Sequence, residues 1–553
     1  MAERIANQAR ILDTEVLVLG AGAAGCGAAI GARESGAKVL LVDKGKLESS
    51  GCLGAGNDHF MANLNTGPDW DTDAALLKFL RTMNRGVTAA MIDNGCIKVR
   101  PLMIRLLESV GLEFLKNADG SYLRTSGFGQ TATWWLNIKN GQFAKRFLAK
   151  KIRASGIDVL DYVMVTRLLG SENRVSAAMG FNVLDGTVTI LKANSVVLAL
   201  GSHTPRATTN STHNPFNTWQ YPYNTGGYCA LAYDAGAKII NLDTDHPASL
   251  LPKGFGCSGM NALNSMGGHE LNAFNERFMR KYDPMGENGV RKNQVLGTFQ
   301  EMIEGKGPPF YMDMRHLPPE ESHLLQHVLM PGDKATFNDY MEQKGLSFST
   351  HPLEVELSEI NIGGRLLSRD NFESTVSGLF SGCNFGGFSG ALCGGYSAGK
   401  EAARAARPAS QYVQLNEEEI EAEKKLIFRP LNVEDGISYQ SFENAIRQVM
   451  DYYLGFVKNE RGIDIAIERL DLIQEYLSRL EAHNFHEMMR ANEARFLLKQ
   501  CQLTARAVKE RRESGRTTYR RSDYPKLDPK YDGKSLALWQ ESGKAMSALI
   551  PAP

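Results

Sequence analysis

The stretch from Glu15 to Asp43, EVLVLGAGAAGCGAAIGARESGAKVLLVD, decides the fold. Glu15–Leu19 is an apolar run rich in β-branched residues, and Lys38–Asp43 (KVLLVD) is a second; both read as buried parallel strands. Between them Gly20-Ala-Gly22-Ala23-Ala24-Gly25 opens a small-residue helix. Gly20 permits the tight turn, Gly22 lets the backbone approach a pyrophosphate, and Gly25 lets the helix lie close on the strand. The helix start offers free N–H groups and the positive end of its dipole to phosphates. Asp43 ends the second strand where an acid receives ribose hydroxyls, which favours NAD or FAD over NADP. A tight turn that binds nothing is the ordinary alternative for the glycines alone; strand, motif, helix, strand and acid in register point to a dinucleotide.

Working outward, RVSAAMGFNVLDGTVTILKA reads as a β-hairpin, and Val196–Gly201 (VVLALG) as a buried strand ending in a glycine loop, followed by SHTPR. Far downstream, Gly378-Leu-Phe-Ser-Gly382-Cys-Asn384-Phe-Gly386-Gly387 repeats the strand-to-glycine turn before the small-residue stretch GGYSAGKEAARAA. A sheet completed by such late returns suits an extended cofactor better than a compact one. Ile437–Lys509 carries helical apolar periodicity with charges on the other face, the pattern of a packing bundle or a docking face for a partner.

Composition narrows the partners. With 553 residues the chain exceeds one hydrophobic core, which stops growing near ~250–300 residues. Lys plus Arg and Asp plus Glu are 62 each, so no basic field advertises nucleic acid or an anionic membrane. No apolar run approaches the ~20 residues of a membrane span, and MAERIANQARILDTEV lacks the marks of a signal or transit peptide, so a cytoplasmic protein is the expectation. The eight cysteines are scattered without a CxxC pair, which suggests buried thiols and neither a disulfide framework nor a metal or cluster site.

These stretches, together with GQFAKRFLAKKI, TGGYCALAYDAGA, GGHELNAFNERFMRKYDP, SGLFSGCNFGG and RRESGRTTYRRSDYP, resemble the succinate dehydrogenase and fumarate reductase flavoprotein superfamily, which includes the α subunit of adenylylsulfate reductase. The resemblance runs along nearly the whole chain. It implies an α/β fold: a Rossmann-type FAD-binding domain (1–235 and 351–408) interrupted by an α+β capping domain (236–350), then a helical domain (409–515) and a C-terminal tail (516–553). FAD is expected on Gly20, Gly22, Ala23, Ala24, Gly25, Asp43, Lys44, Ser50, Gly51, Cys52, Gly56, Asn57, Val165, Ala199, Gly201, Ser202, Thr225, Gly226, Asn384 and Ser397. Glu48-Ser-Ser-Gly-Cys52-Leu-Gly lacks the histidine to which some members attach the flavin, so noncovalent FAD is expected.

In the family, hydride passes between flavin N5 and a substrate carbon while an arginine exchanges a proton with the neighbouring atom. Arg291, in NGVRKNQV, falls at that arginine, and His246, in DHPASL, at the family's substrate histidine. Glu359 stands where fumarate reductases have a histidine, and Leu392 where they have an arginine that grips a carboxylate; leucine cannot make that bidentate pair. His59 lies in the flavin loop as an acid or base, or as an ordinary loop histidine. Trp134 and Trp135 offer a stacking face, with one of the two expected in the core.

The reading is an FAD-dependent oxidoreductase acting at a C–C single or double bond of a small substrate other than a simple dicarboxylate, with electrons exchanged through a separate iron–sulfur subunit. A flavoprotein like that of adenylylsulfate reductase, acting at sulfur, is the alternative, although its longer flavin loop and its active-site histidine find no match. A flavin electron-transfer subunit is the second alternative.

Overall fold

The computed structural model describes residues 9–171, 173–257, 261–406 and 415–552. Residues 1–8, part of the stretch read for a leader, and the expected 408/409 boundary lie outside the described residues.

The opening motif builds β1 (Arg10–Leu19), α1 (Ala23–Glu34) and β2 (Val39–Val42). Val16–Leu19 have no exposed surface, because a parallel strand with helices on both faces has no solvent side. With β3 (Asp158–Leu160), β4 (Val163–Ser171), β5 (Arg174–Asn182) and β6 (Val188–Leu198), the order is β3-β2-β1-β6-β5-β4. The hairpin and the VVLALG strand, read separately in the sequence, share one 11-residue strand. β6 runs antiparallel to β5 along one edge and parallel to β1 along the other.

A smaller antiparallel sheet follows, from β7 (Leu250–Pro252), β8 (His269–Leu271), β9 (Phe310–Asp313) and β10 (Leu353–Leu357), in the order β7-β10-β9-β8 over its own apolar core. Arg291–Ile303 forms α2 beside it. The chain then returns to the first sheet: β11 (Leu379–Ser381) pairs in parallel with β6 and completes seven strands.

The helix leaving β11, α3 (Gly387–Ala405), lies directly on α1. Glycine makes this approach possible. A Cβ on Gly27 or Gly31 would sit 2.2 or 2.1 Å from the carbonyl oxygen of Leu392 or Tyr396, and one on Gly395 or Gly399 would sit 2.0 Å from that of Ala24 or Ala28. The two small-residue stretches are therefore the two faces of one close helix contact.

The C-terminal region is helical: α4 (Tyr439–Leu454), α5 (Glu460–Glu475) and α6 (Phe485–Glu510). Ser438, Asn459 and Asn484 cap their first turns by accepting from the backbone N–H of Ser441, Gly462 and Glu487. α6 is buried nearly all round, because it lies between the other two helices and the helix Gly227–Asp234 of the main body. The last residues form a hairpin, β12 (Lys534–Glu541) and β13 (Lys544–Pro551), whose Ala537 and Leu538 pair with Ile240 and Ile239. No helix among the described residues is long and apolar enough to cross a membrane.

Candidate active site

A cavity of about 820 Å³ runs from the first turn of α1 to the interface with the smaller sheet. At its nucleotide end, Gly20, Gly22, Ala23, Ala24, Asp43, Lys44, Val165 and Thr225 form the wall, with Ala199, Gly201 and Ser202 from the loop after β6. Asp43 accepts the N–H groups of Ala21 and Gly45, each at 2.7 Å, which keeps its carboxylate at the turn. Lys44 is committed elsewhere: its ammonium donates to Glu493 at 2.6 Å and to the Tyr223 carbonyl. Gly51 (φ +76°) crosses so close to the turn that a Cβ there would meet the Gly22 Cα at 2.7 Å. A bare backbone cradle, a helix start without a side-chain cap and an acid at the strand end fit a dinucleotide. Gly51, Cys52, Gly56 and Asn57 carry the wall onward to the start of α3, where Gly386–Ala391 line it.

Three expected groups line the cavity beyond its nucleotide end. Arg291 opens α2, and Asp283 fixes that start by accepting from the N–H of Val290 at 3.0 Å and the amide of Asn293 at 2.8 Å. The Arg291 guanidinium donates to Ser249 Oγ and Asn261 Oδ1, lies 3.8 Å from the Phe128 ring centroid and 5.3 Å from that of Trp219, and meets no carboxylate among the described residues. Burial without a counter-charge pushes it down to about 9.

His246 is buried; its Nε2 lies 2.8 Å from the Leu242 carbonyl, which makes that nitrogen the donor and leaves Nδ1 an acceptor without a partner among the described residues. Burial first, and then the charge of Lys458, push the imidazole down to about 3, so it is neutral at physiological pH. Thr518 donates to its backbone carbonyl, bringing the C-terminal segment against the site. His59 pairs through Nδ1 with Asp58 and stacks on Trp135 at 3.8 Å. Trp134 instead lies in the core, its Nε1 donating to the Trp70 carbonyl.

The family described as FAD binding domain matches residues 15–469, and that described as fumarate reductase flavoprotein C-term matches residues 443–548. The chain belongs to the succinate dehydrogenase and fumarate reductase flavoprotein superfamily. It is an FAD-dependent oxidoreductase of that family. It is 26% identical to the A chain of the CoM/CoB fumarate reductase of Methanothermobacter marburgensis over 566 residues, 95% of this chain and 97% of that one. To the alpha chain of adenylylsulfate reductase from Megalodesulfovibrio gigas it is 26% identical over 342 residues, 55% of this chain and 50% of that one. The solved adenylylsulfate reductase of the hyperthermophilic Archaeoglobus fulgidus superposes with a TM-score of 0.87 at 20% identity, covering 100% of this chain and 97% of that one.

Within this flavoprotein frame, several expected residues stand behind the wall. Gly25 packs over the Gly20 carbonyl, and Gly226 is the N-cap of the helix Gly227–Asp234. Ser50 donates to the Lys46 carbonyl, Ser397 to that of Gly95, and Asn384 accepts from Ser381. Glu359 is fully buried outside the cavity; one oxygen accepts the N–H groups of Trp219 and Gln220 at 2.8 and 3.4 Å, and the other has no hydrogen-bond partner among the described residues. Burial raises its carboxyl to about 7. Leu392 is buried in the α1–α3 contact and does not line the cavity.

The wall also holds residues that sequence reasoning passed over. His203 lies 3.2 Å from Asp245, which also takes Arg365 at 3.4 Å; burial opposes the Asp245 charge, and these two neighbours outweigh it and lower its pKa. His203 stands inside the SHTPR stretch, Asp245 directly before His246, and Arg516–Thr518 within RRESGRTTYRR, so family stretches did contain their signal. Phe128, Trp219, Asn261 and Arg100 had none.

Proposed function

We propose that this flavoprotein catalyses hydride exchange between noncovalently held FAD and a C–C single or double bond next to an electron-withdrawing group, on a small substrate other than a simple dicarboxylate. FAD, when bound, supplies the hydride acceptor or donor. Arg291 moves the proton at the adjacent carbon. The observation that carries this reading is its environment: among the described residues the guanidinium is held by neutral oxygens and aromatic faces and no carboxylate, with its pKa brought to about 9. Ordinary arginine, above ~12, is a poor acid near neutral pH; desolvation without a counter-charge moves this one toward proton transfer.

The neutral His246 offers Nδ1 as acceptor to a substrate O–H or N–H. Glu359 acts through the backbone it holds, positioning Trp219 and Gln220 on the wall. The position that would grip a second carboxylate, Leu392, is turned into helix packing, which favours a substrate without that group. The absence of a histidine beside Gly51 and Cys52 supports noncovalent FAD. The relatives are named as single chains of larger enzymes, which supports a separate partner chain as the electron route; that it carries iron–sulfur clusters is what the family resemblance implies.

The test is reoxidation of the reduced flavin by a panel of α,β-unsaturated acceptors under anaerobic conditions. Rapid reoxidation by a member of the panel is expected; none, with sulfite released from adenylylsulfate instead, would replace this reading by action at sulfur. That second reading draws on the likeness to the α chain of adenylylsulfate reductase and on the missing carboxylate grip.

A further inference from the structure

Arg100 opens the helix Arg100–Ser109 and is only 1% exposed, yet it lines the same cavity as Arg291 and His246. Its Nε and Nη1 have no hydrogen-bond partner, and no acidic side chain pairs with it among the described residues. The other arginines and lysines of the wall all have hydrogen-bond acceptors: Arg291 has Ser249 and Asn261, Arg85 the Arg516 carbonyl, and Lys44 Glu493. Arg365 pairs with Asp245, Arg516 with Glu513 and Asp532, and Lys292 donates to the Gly515 carbonyl. Removing a guanidinium from water without a counter-charge is costly, and a folded protein carries such a group where something anionic comes to meet it.

The neighbours say what kind of anion. Leu80 and Phe79, on the helix Asp73–Met83 that packs on the turn Asp93–Ile97, line the cavity with Arg100, as do Cys96 one helical turn before it and Phe388 on α3. These surfaces are apolar and suit a hydrocarbon stem. The guanidinium fork matches a carboxylate in a bidentate pair. The one anionic candidate beside it among the described residues is Cys96, whose thiol is brought down to about 7 by a hydrogen bond from Cys393 working against burial, with the Arg100 charge adding to it.

We propose that Arg100 is the anchor for a single carboxylate on the substrate, with the apolar stem of that substrate lying along Phe79, Leu80 and Phe388. The inference deepens the proposed function and rests on its placing of the substrate in this cavity. It assigns the anionic group to a residue far in sequence from Leu392.

Isothermal titration of the FAD-loaded protein with sodium hexanoate, hexan-1-ol and inorganic phosphate tests it without any turnover, so its failure is separate from that of the reaction assigned above. Hexanoate is expected to bind more tightly than the other two. Arg100→Met should weaken it by on the order of 10- to 100-fold, with Arg100→Lys intermediate and FAD content unchanged. At pH 6, below the Cys96 value of about 7, Cys96→Ser should leave hexanoate affinity within about twofold, a margin far below a charge-assisted hydrogen bond.

Four results would overturn the assignment. The wild-type protein could bind none of the probes, or phosphate in place of hexanoate. Hexanoate could bind the FAD-free protein only, which would give Arg100 to the cofactor. Cys96→Ser could create strong hexanoate binding absent from wild type, which would make the thiolate the counter-ion. If Arg100→Met fails to fold, the wild-type probe comparison and the lysine variant still decide.

Discussion

Two regions of this flavoprotein bury arginines, and they treat the charge in opposite ways. Between the main body and the C-terminal helices, Arg206 is fully buried and pairs with Glu443 and, at 3.1 Å, with Glu493, which also receives Lys44 and Arg490 at 2.6 and 2.7 Å. Burial alone would lower Arg206, and the two carboxylates outweigh it and raise its pKa; for Glu493 the three cations outweigh burial and lower it. Each of these cations meets a carboxylate. At the cavity, Arg291 is held by hydroxyl and amide oxygens, and Arg100 by no carboxylate among the described residues. The lesson is that burial by itself does not mark function. A buried cation cancelled by carboxylates holds the fold; one left uncancelled at a cavity wall is free to lend a proton or take an anion.

The sharpest way to break the comparison is at Arg291. Arg291→Gln removes the proton together with the Nη contacts to Ser249 and Asn261, and turnover should fall by roughly 10²- to 10⁴-fold, the usual weight of general acid–base catalysis. Binding of FAD and the unfolding midpoint should change little, because no ion pair is lost. In the wild type, a step that needs the protonated guanidinium should slow as pH rises through about 9. An unchanged rate in Arg291→Gln would remove Arg291 from the chemistry.

Glu493 tests the other half. Glu493→Gln leaves Arg206, Arg490 and Lys44 short of one charge in the interior, and removing one partner of a buried ion network costs about 3–5 kcal/mol. Chemical denaturation should show the loss as a lower midpoint at similar steepness. A cost below about 1 kcal/mol, the range of exposed ion pairs, would show that solvent reaches the network and that the two arginine environments differ less than their burial implies.

What could be read from the sequence follows the same division. The β1–α1–β2 motif is recognisable locally as strand, glycine turn, helix and strand, and the caps at Ser438, Asn459 and Asn484 are equally local, although only Gly25 answers to a near neighbour, the Gly20 carbonyl, while Gly20 and Gly22 meet Ala199 and Gly51. The far end of the cavity is assembled from remote pieces. Thr518 reaches the carbonyl of His246 across 272 positions, and His203 meets Asp245 across 42. Arg291 was legible because its flanks resemble the family; its supports Ser249 and Asn261, and the whole of Arg100, left no pattern in spacing. Glu359 shows the limit of reading by position. Its place in the chain suggested the cavity wall, but its carboxylate turns to the N–H groups of Trp219 and Gln220, about 140 residues earlier.

Glu359 and His246 give the smallest and most discriminating effect, because burial moves them in opposite directions. His246 sits at about 3 in the fold against an ordinary 6.5, so between those pH values the unfolded chain binds the extra proton and stability rises with pH. Glu359 sits at about 7 against an ordinary 4.5, so between those values the fold holds the extra proton and stability falls as pH rises. Between pH 4.5 and 6.5 the two terms oppose each other, each with a limiting slope of about 1.4 kcal/mol per pH unit. Relative to the wild type, His246→Asn should therefore lower the slope of stability against pH in that window, and Glu359→Gln should raise it. All other titrating groups are common to both variants and cancel in the difference. Parallel stability–pH curves for the two variants from denaturant titrations would mean that neither group is held neutral by burial, and with that would go the acceptor role given to His246 Nδ1.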